Sequence, residues 1–307
     1  MTTTLNFGNL TWIHLPEPDK NEIKKLIKRY DFHELIEEDL FELSTQEKID
    51  VYEKNIFIVV NFPKYDTDIK KYVLNEFSIV MGKNVIVTMT RFKTNHVERI
   101  INEYKKELRE RDLDEDFKIS PYYILYKIMD TMYDKTVGIL NKSSKDVIAF
   151  EEELFQSKKL AKTLLENLMI KKRNIAFLKH IFLPHKEILD ELQKIVPKFY
   201  KWDLDVYFED LAYKLDKILN NIEISFENVD SLADTYNSLM NIKTNSVINI
   251  LTIFTAITWV LTLISWIYGM NISLPGQTRW YFFLIIIGIM FVVSVCLIWI
   301  FKKQKWI

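Results

Sequence analysis

The sequence predicts an α+β body, a small mixed sheet covered by helices. A long stalk helix follows and continues into the first of two transmembrane helices. Three observations carry this. Short β-rich apolar runs crowd the first third of the chain. No proline or glycine interrupts the 71 residues from Lys198 to Tyr268. Asp, Glu, Lys and Arg are missing from Thr244 to Thr278 and again from Trp280 to Phe301. The averages, 49% hydrophobic and 27% charged over 307 residues, would describe a soluble protein and hide this partition.

In chain order, "MTTTLNFGNLTWIHL" lacks the basic start and apolar core of a secretory signal, so the body is expected to stay in the cytoplasm. The runs "TWIHL" (11–15), "NIFIVVNF" (55–62), "FSIVMG" (77–82) and "NVIVTMT" (84–90) read as strands, and Gly82-Lys83-Asn84 as a hairpin turn. Helical material, "DKNEIKKLIKRY" after Pro18 and "HELIEEDLFE" from His33, separates the first two. From Thr94 to about Pro184 the pattern is helical, and Ser120-Pro121 marks a helix start. The expected organisation is a body over 1–197, a stalk over 198–246, spans over 247–268 and 280–301 joined by an external loop over 269–279, and a basic tail over 302–307.

Along the stalk, Phe208, Leu211, Leu215, Ile218, Ile222, Phe226, Val229, Leu232, Tyr236 and Leu239 recur at a spacing of three and four. An unbroken helix of that run would be about 105 Å long, and most of it would have nothing to bury against. It is expected to bundle with copies of itself; the alternative is a set of shorter helices folded back within one monomer.

Each span has 22 residues, long enough at about 1.5 Å per residue to cross a hydrocarbon core of about 30 Å. Lys243 precedes the first span and Lys302, Lys303 and Lys305 follow the second, against Arg279 alone in the loop. Both termini are therefore expected in the cytoplasm, with the chain in the plasma membrane. Trp280, Tyr281, Trp299 and Trp306 fall near the interfaces, where aromatic belts form. The same seam, followed upward, reads Asn245, Ile248, Thr252, Thr255, Trp259, Thr262, Trp266 and Gly269. Four of these eight are Asn or Thr, which favours an inward face. Spacing fits both a hydrated pore lining and helix–helix hydrogen bonding without a pore.

Net charge is −1, which excludes a broad basic field for nucleic acid. Cys296 is the one cysteine, which excludes a disulfide framework. There is no glycine-rich phosphate loop, CxxC or HExxH, and the five histidines lack zinc spacing, so an enzyme is not expected. Asn271-Ile272-Ser273 fits a glycosylation sequon, a pattern chance often produces. Gly269 and Asn271 by themselves also fit simple helix termination.

The segment "IYGMNISLP", a second span, and a terminal "FKKQKWI" together resemble the CorA family of magnesium channels. "KTNSVINILTIFTAITWVLTLI" is similar to that family's first span, and "YDFHELIEEDLFE", "NIFIVVNFPKYD" and "FSIVMGKNVIVTMT" stand in the family's order. The resemblance covers nearly the whole chain. It implies a homopentameric funnel, a pore lined by the first span, and Mg²⁺ uptake. It implies a filter of Tyr268, Gly269, Met270 and Asn271, where a ring of Asn271 carboxamides holds the hydrated ion. Mg²⁺ dehydrates reluctantly, so binding its water shell avoids that cost. Asn245 would sit at the inner mouth, Ile248 and Leu251 at a hydrophobic constriction, and Thr252, Thr255, Trp259 and Thr262 along the pore. Asp66 and Asp210 would bind a regulatory Mg²⁺ between neighbouring protomers, with Asp203 and Asp234 as further stalk acids. The chain departs from the family in three places. Its loop "ISLPGQTR" has no acid, Trp259 stands where Met is usual, and Val260 where Pro is common. Another divalent ion (Co²⁺, Ni²⁺ or Zn²⁺) is the alternative cargo, though Met270 leans to magnesium; a non-conducting membrane-anchored sensor is the alternative of a different class.

Overall fold

The computed structural model describes residues 2–41, 46–91, 95–110, 120–156, 162–199, 205–270 and 280–304. The chain divides into two compact units, Met1–Leu232 and Ala233–Ile307.

The first unit opens with β1 (Thr3–Phe7) and β2 (Leu10–Pro16), then α1 (Lys20–Tyr30) and α2 (Glu34–Phe41). Four strands follow, β3 (Lys48–Val51), β4 (Ile56–Asp66), β5 (Lys71–Met81) and β6 (Val85–Thr90). They form one sheet in the order β1-β2-β6-β5-β4-β3. All pairings are antiparallel except β2 with β6, which makes the sheet mixed. Gly8, at φ 58°, turns the β1–β2 hairpin in a region that suits glycine. Gly82 turns the β5–β6 hairpin as expected, and its amide donates to the Val85 carbonyl at 2.9 Å. Strands β1 and β3 were not expected: they lie at the two edges, and their alternation is too weak to read from four or five residues.

β4 is buried from Ile56 to Pro63, because helices cover both faces of the sheet. On one face α1 and α2 supply Ile23, Ile27, Ile36 and Leu40 to a core with Ile13, Leu15, Phe57, Val59, Val80 and Val87. Asp19 starts α1 with a capping box to Glu22, and Asp31 ends it in the left-handed region. The other face meets α4 (Pro121–Gln156), α5 (Lys162–Phe182) and α6 (His185–Phe199). There Phe62 packs edge-on to Phe77 (5.3 Å) and against Phe182 (6.2 Å) and His185 (5.3 Å). His185 is fully buried; one ring nitrogen meets Tyr133 Oη at 3.1 Å and the other the Asn61 carbonyl at 3.0 Å. Burial lowers its pKa to about 4, so the ring is neutral. Helix α3 (Asn95–Glu110) precedes α4, and Ser120 caps α4 by accepting from the Tyr123 amide at 3.1 Å.

Helix α7 runs from Asp205 to Tyr268, a single element of 64 residues, and α8 from Trp280 to Lys303. The breaker-free run expected from Lys198 thus begins inside α6, and α7 starts at Asp205. The apolar stalk seam does not wait for copies of the chain. Phe208, Leu211, Leu215, Ile218, Ile222, Val229 and Leu232 are buried within this first unit. Three ion pairs frame the contact with α5 and α6: Lys172–Asp230, Lys179–Glu223 and Lys186–Asp216. The lysines step forward by seven residues as the acids step back by seven, the signature of antiparallel helices held at a heptad repeat.

Candidate functional site

In the second unit α7 is covered on one stripe only. Ile253 is buried, and Asn249, Ala256, Ile257, Val260 and Ile264 are half-buried. In α8 the half-buried positions Phe282, Ile286, Met290, Val293 and Leu297 form the matching stripe. Most of the large apolar side chains elsewhere on the two spans are exposed, Phe254 at 67% and Phe291 at 70% among them. Both helices are long and apolar enough to cross a membrane.

The stripe Asn245, Ile248, Thr252, Thr255, Trp259, Thr262, Trp266 and Gly269 lies entirely on the exposed side, with Leu251 beside it. It is not the continuation of the apolar stalk seam. Tyr236, on the seam, and Asn245, on the stripe, are nine residues apart, about half a turn out of phase at about 100° per residue. Counted downward by fours and threes, the stripe passes through Asn241, Ser238, Asp234, Ser231, Glu227, Ile224 and Asn220, every one exposed. This lower half is legible in the sequence, because the same alternation of three and four continues below Asn245.

The hydroxyls along the span bond their own helix. Thr252 donates to the Ile248 carbonyl (2.8 Å), Thr255 to Leu251 (2.8 Å) and Thr262 to Thr258 (2.7 Å). Thr258 and Ser265, off the stripe, do the same. A hydroxyl so satisfied is tolerable against lipid, so polarity alone does not assign a face. The stripe lies on the exposed side of α7, a side it shares with Thr258 and Ser265. With the proton spent on the backbone, each threonine oxygen offers its remaining lone pair outward as an acceptor.

At the C-terminal end of α7, the Gly269 amide donates to the carbonyls of Ser265 (2.9 Å) and Trp266 (3.1 Å). Gly269 is outside the left-handed region, so the positive-φ turn that glycine permits is not its reason here. A Cβ at this position would lie 3.2 Å from the Ser265 carbonyl oxygen, inside the helix's last hydrogen-bonded turn. Tyr268 is 37% and Met270 51% exposed. Asn271 and Asp203 lie outside the described residues.

The two candidate regulatory carboxylates sit on different elements of the first unit. Asp66 ends β4, and its Oδ1 accepts from the amides of Asp68 (3.0 Å) and Ile69 (3.3 Å), which shapes the β4–β5 turn. Arg173 and Asn174 of α5 both donate to the Lys70 carbonyl at 3.2 Å and pin that turn. Asp210 lies on the first turns of α7 and accepts from the Tyr126 hydroxyl of α4 at 3.0 Å. Burial first, and then this bond, push the Tyr126 phenol well above its ordinary range, so it stays a donor. Tyr126 is 84 residues from Asp210, and no spacing in the sequence pointed to it. Asp234 is exposed, and its carbonyl accepts from Ser238 Oγ at 2.9 Å. Among the described residues no three His, Cys, Asp or Glu side chains converge as a metal site within the chain.

The family model for CorA-like Mg²⁺ transporter protein matches residues 7–303. The chain is 27% identical over 303 residues to the "Cobalt/magnesium transport protein CorA" of Thermotoga maritima, covering 97% of this chain and 83% of that one. It is 24% identical to the "Putative metal ion transporter YfjQ" of Bacillus subtilis, covering 95% and 88%. In fold it is similar to the complete structure of the CorA magnesium transporter from Methanocaldococcus jannaschii, with a TM-score of 0.83 at 22% identity over 99% of this chain and 94% of that one.

Proposed function

The chain belongs to the family of CorA-like Mg²⁺ transporter proteins, and from that membership we propose that it conducts Mg²⁺ into the cell through an axial pore lined by α7 of a homopentamer. It is an integral membrane protein with two apolar C-terminal helices. The observation that carries the proposal is the exposed stripe of α7. In a symmetric ring of chains the covered face of each α7 belongs to its own chain, and the stripe is what remains to turn inward. Its amides and threonine oxygens would then face the axis as acceptors for the ion's water shell, and Ser238, Asn241 and Asn245 would extend the polar lining below the membrane.

In this reading Asn271 forms the outer carboxamide ring, set by the tight helix end at Gly269, with Tyr268 and Met270 beside it. Ile248 and Leu251, both exposed, form the constriction that gates by excluding water. Trp259 narrows the pore between Thr255 and Thr262. Uptake needs no nucleotide, since a divalent ion crossing 100 mV gains about 4.6 kcal/mol, twice the roughly 2.3 per charge. Asp66 and Asp210 meet across protomers and share a cytosolic Mg²⁺. When that ion leaves, their repulsion loosens the ring and the pore opens. Both termini face the cytoplasm of a plasma membrane. The names of two relatives include cobalt or an unspecified metal ion, so Co²⁺ stands as a second cargo.

Growth of a magnesium-uptake-deficient strain tests this. The wild-type chain is expected to restore growth at low Mg²⁺, and Asn271→Ala to restore little or none. A wild-type chain that reaches the membrane and restores nothing would support the non-conducting sensor. An Asn271→Ala chain that rescues equally well removes the filter role.

A further inference from the structure

We propose that Tyr126 is the positioning residue of the regulatory cation site at Asp210, and that Asp130 and Asp134 keep this carboxylate available to an ion by holding Lys214 away from it. The inference rests on the reading of Asp210 as a regulatory site and says how the fold prepares it.

Lys214 follows Asp210 by four residues on α7, the spacing at which a lysine and an acid on one helix neutralise each other. It does not do so here. Its ammonium bonds Asp130, and also Asp134 at 2.9 Å, both on α4. Among the described residues no lysine or arginine pairs with Asp210. Its partner is instead the neutral phenol of Tyr126, which donates to Oδ2 at 3.0 Å. A neutral donor, unlike a lysine, brings no charge to cancel that of the carboxylate. It also fixes the carboxylate's orientation and leaves Oδ1 for an ion or its water.

The phenol is itself held. The Tyr126 ring packs edge-on to Tyr207 at 4.8 Å, and Tyr123 packs on Tyr207 at 5.5 Å and lies 6.0 Å from Tyr126. Lys127 places its ammonium 5.8 Å from both the Tyr123 and Tyr126 rings. These contacts leave the hydroxyl little freedom to follow a rotating carboxylate. The arrangement matches the outer partners of metal ligands, which orient a ligand without touching the metal and whose loss weakens metal affinity.

The test is Mg²⁺ entry into liposomes holding the full chain, followed with an internal indicator while Mg²⁺ on the cytoplasmic side is varied. Tyr126→Phe is expected to raise the Mg²⁺ concentration that half-closes the channel about tenfold, with flux at the lowest Mg²⁺ unchanged. Asp130→Asn with Asp134→Asn releases Lys214 toward Asp210 and is expected to flatten the Mg²⁺ dependence. Asp210→Asn is the reference and is expected to abolish it. If Asp210→Asn abolishes the dependence while Tyr126→Phe behaves as wild type, or merely lowers flux at every concentration, the positioning role is overturned and the regulatory site stands. If Asp210→Asn itself closes as wild type does, the regulatory reading falls and takes this inference with it.

Discussion

The lower and upper parts of α7 share one backbone geometry and have opposite surroundings. Below Leu232 the apolar seam is buried by the chain's own α4, α5 and α6, with Ile218, Ile222 and Val229 at 0% exposure. Above it, large apolar side chains stand open, Ile250 at 63% and Trp266 at 73%. The lower part is therefore stabilised by water-driven burial inside one chain. The upper part gains nothing from burial against another apolar helix when lipid surrounds it, and depends on packing and on its neighbours. One helix thus joins a region that a single chain can fold to a region that a single chain cannot complete.

Substitutions break this comparison in order of size. Ile222→Ala, at full burial, is expected to cost about 2–5 kcal/mol and to lower the thermal midpoint of the detergent-solubilised protein by many degrees. Ile250→Ala, exposed in the single chain, is expected to leave that midpoint within about a degree or two, since exposed positions change stability by about 0.5 kcal/mol or less. Equal losses at the two sites would erase the distinction between the two parts.

A second test uses pH. His185 is fully buried and His14 nearly so, and burial lowers the pKa of each from 6.5 to about 4. Both are neutral when folded, and the unfolded chain binds their protons first. The stability they allow is complete above pH 6.5 and falls as pH drops toward 4, by an amount on the order of 3 kcal/mol per histidine. Denaturant midpoints measured from pH 7 to pH 4 should decline, and His185→Gln should flatten the decline while starting from a lower stability. The first unit should bear this effect, since no histidine lies above it in the chain.

The smallest expected effect is at the lysine ladder. Lys179 and Glu223 are 42% and 47% exposed, so Lys179→Ala should cost no more than about 1 kcal/mol, less at high salt. The ladder sets the register between α5 and α7 more than it stabilises their contact. Thermal midpoints of Lys179→Ala at low and high salt check this. A loss as large as that of Ile222→Ala would mean that charge, not apolar burial, holds the lower part together.

Much of this was legible from residue order. The strands β2, β4, β5 and β6, the Gly82 turn and the Ser120 cap follow from local runs and turn chemistry, which act over a few residues. The apolar spans follow from length and composition. The edge strands β1 and β3 were not legible, because pairing with a neighbour, not their own pattern, makes them strands. The seam was correctly found as a helical face, but its partner was misjudged. A periodic face says that something covers it, and cannot say whether that is a copy or the α5–α6 arm of the same chain.

The sequence by itself determined that a charged body is tied to two uncharged spans by a long helix, because charge, hydropathy and helix breakers act through the residues that carry them. Only the tertiary structure decided which face of that helix is already taken, that Gly269 serves a crowded helix end instead of a left-handed turn, and that Tyr126 holds Asp210 while Lys214 is drawn elsewhere. Those are contacts between residues far apart in the chain, and their geometry exists only once the helices have packed.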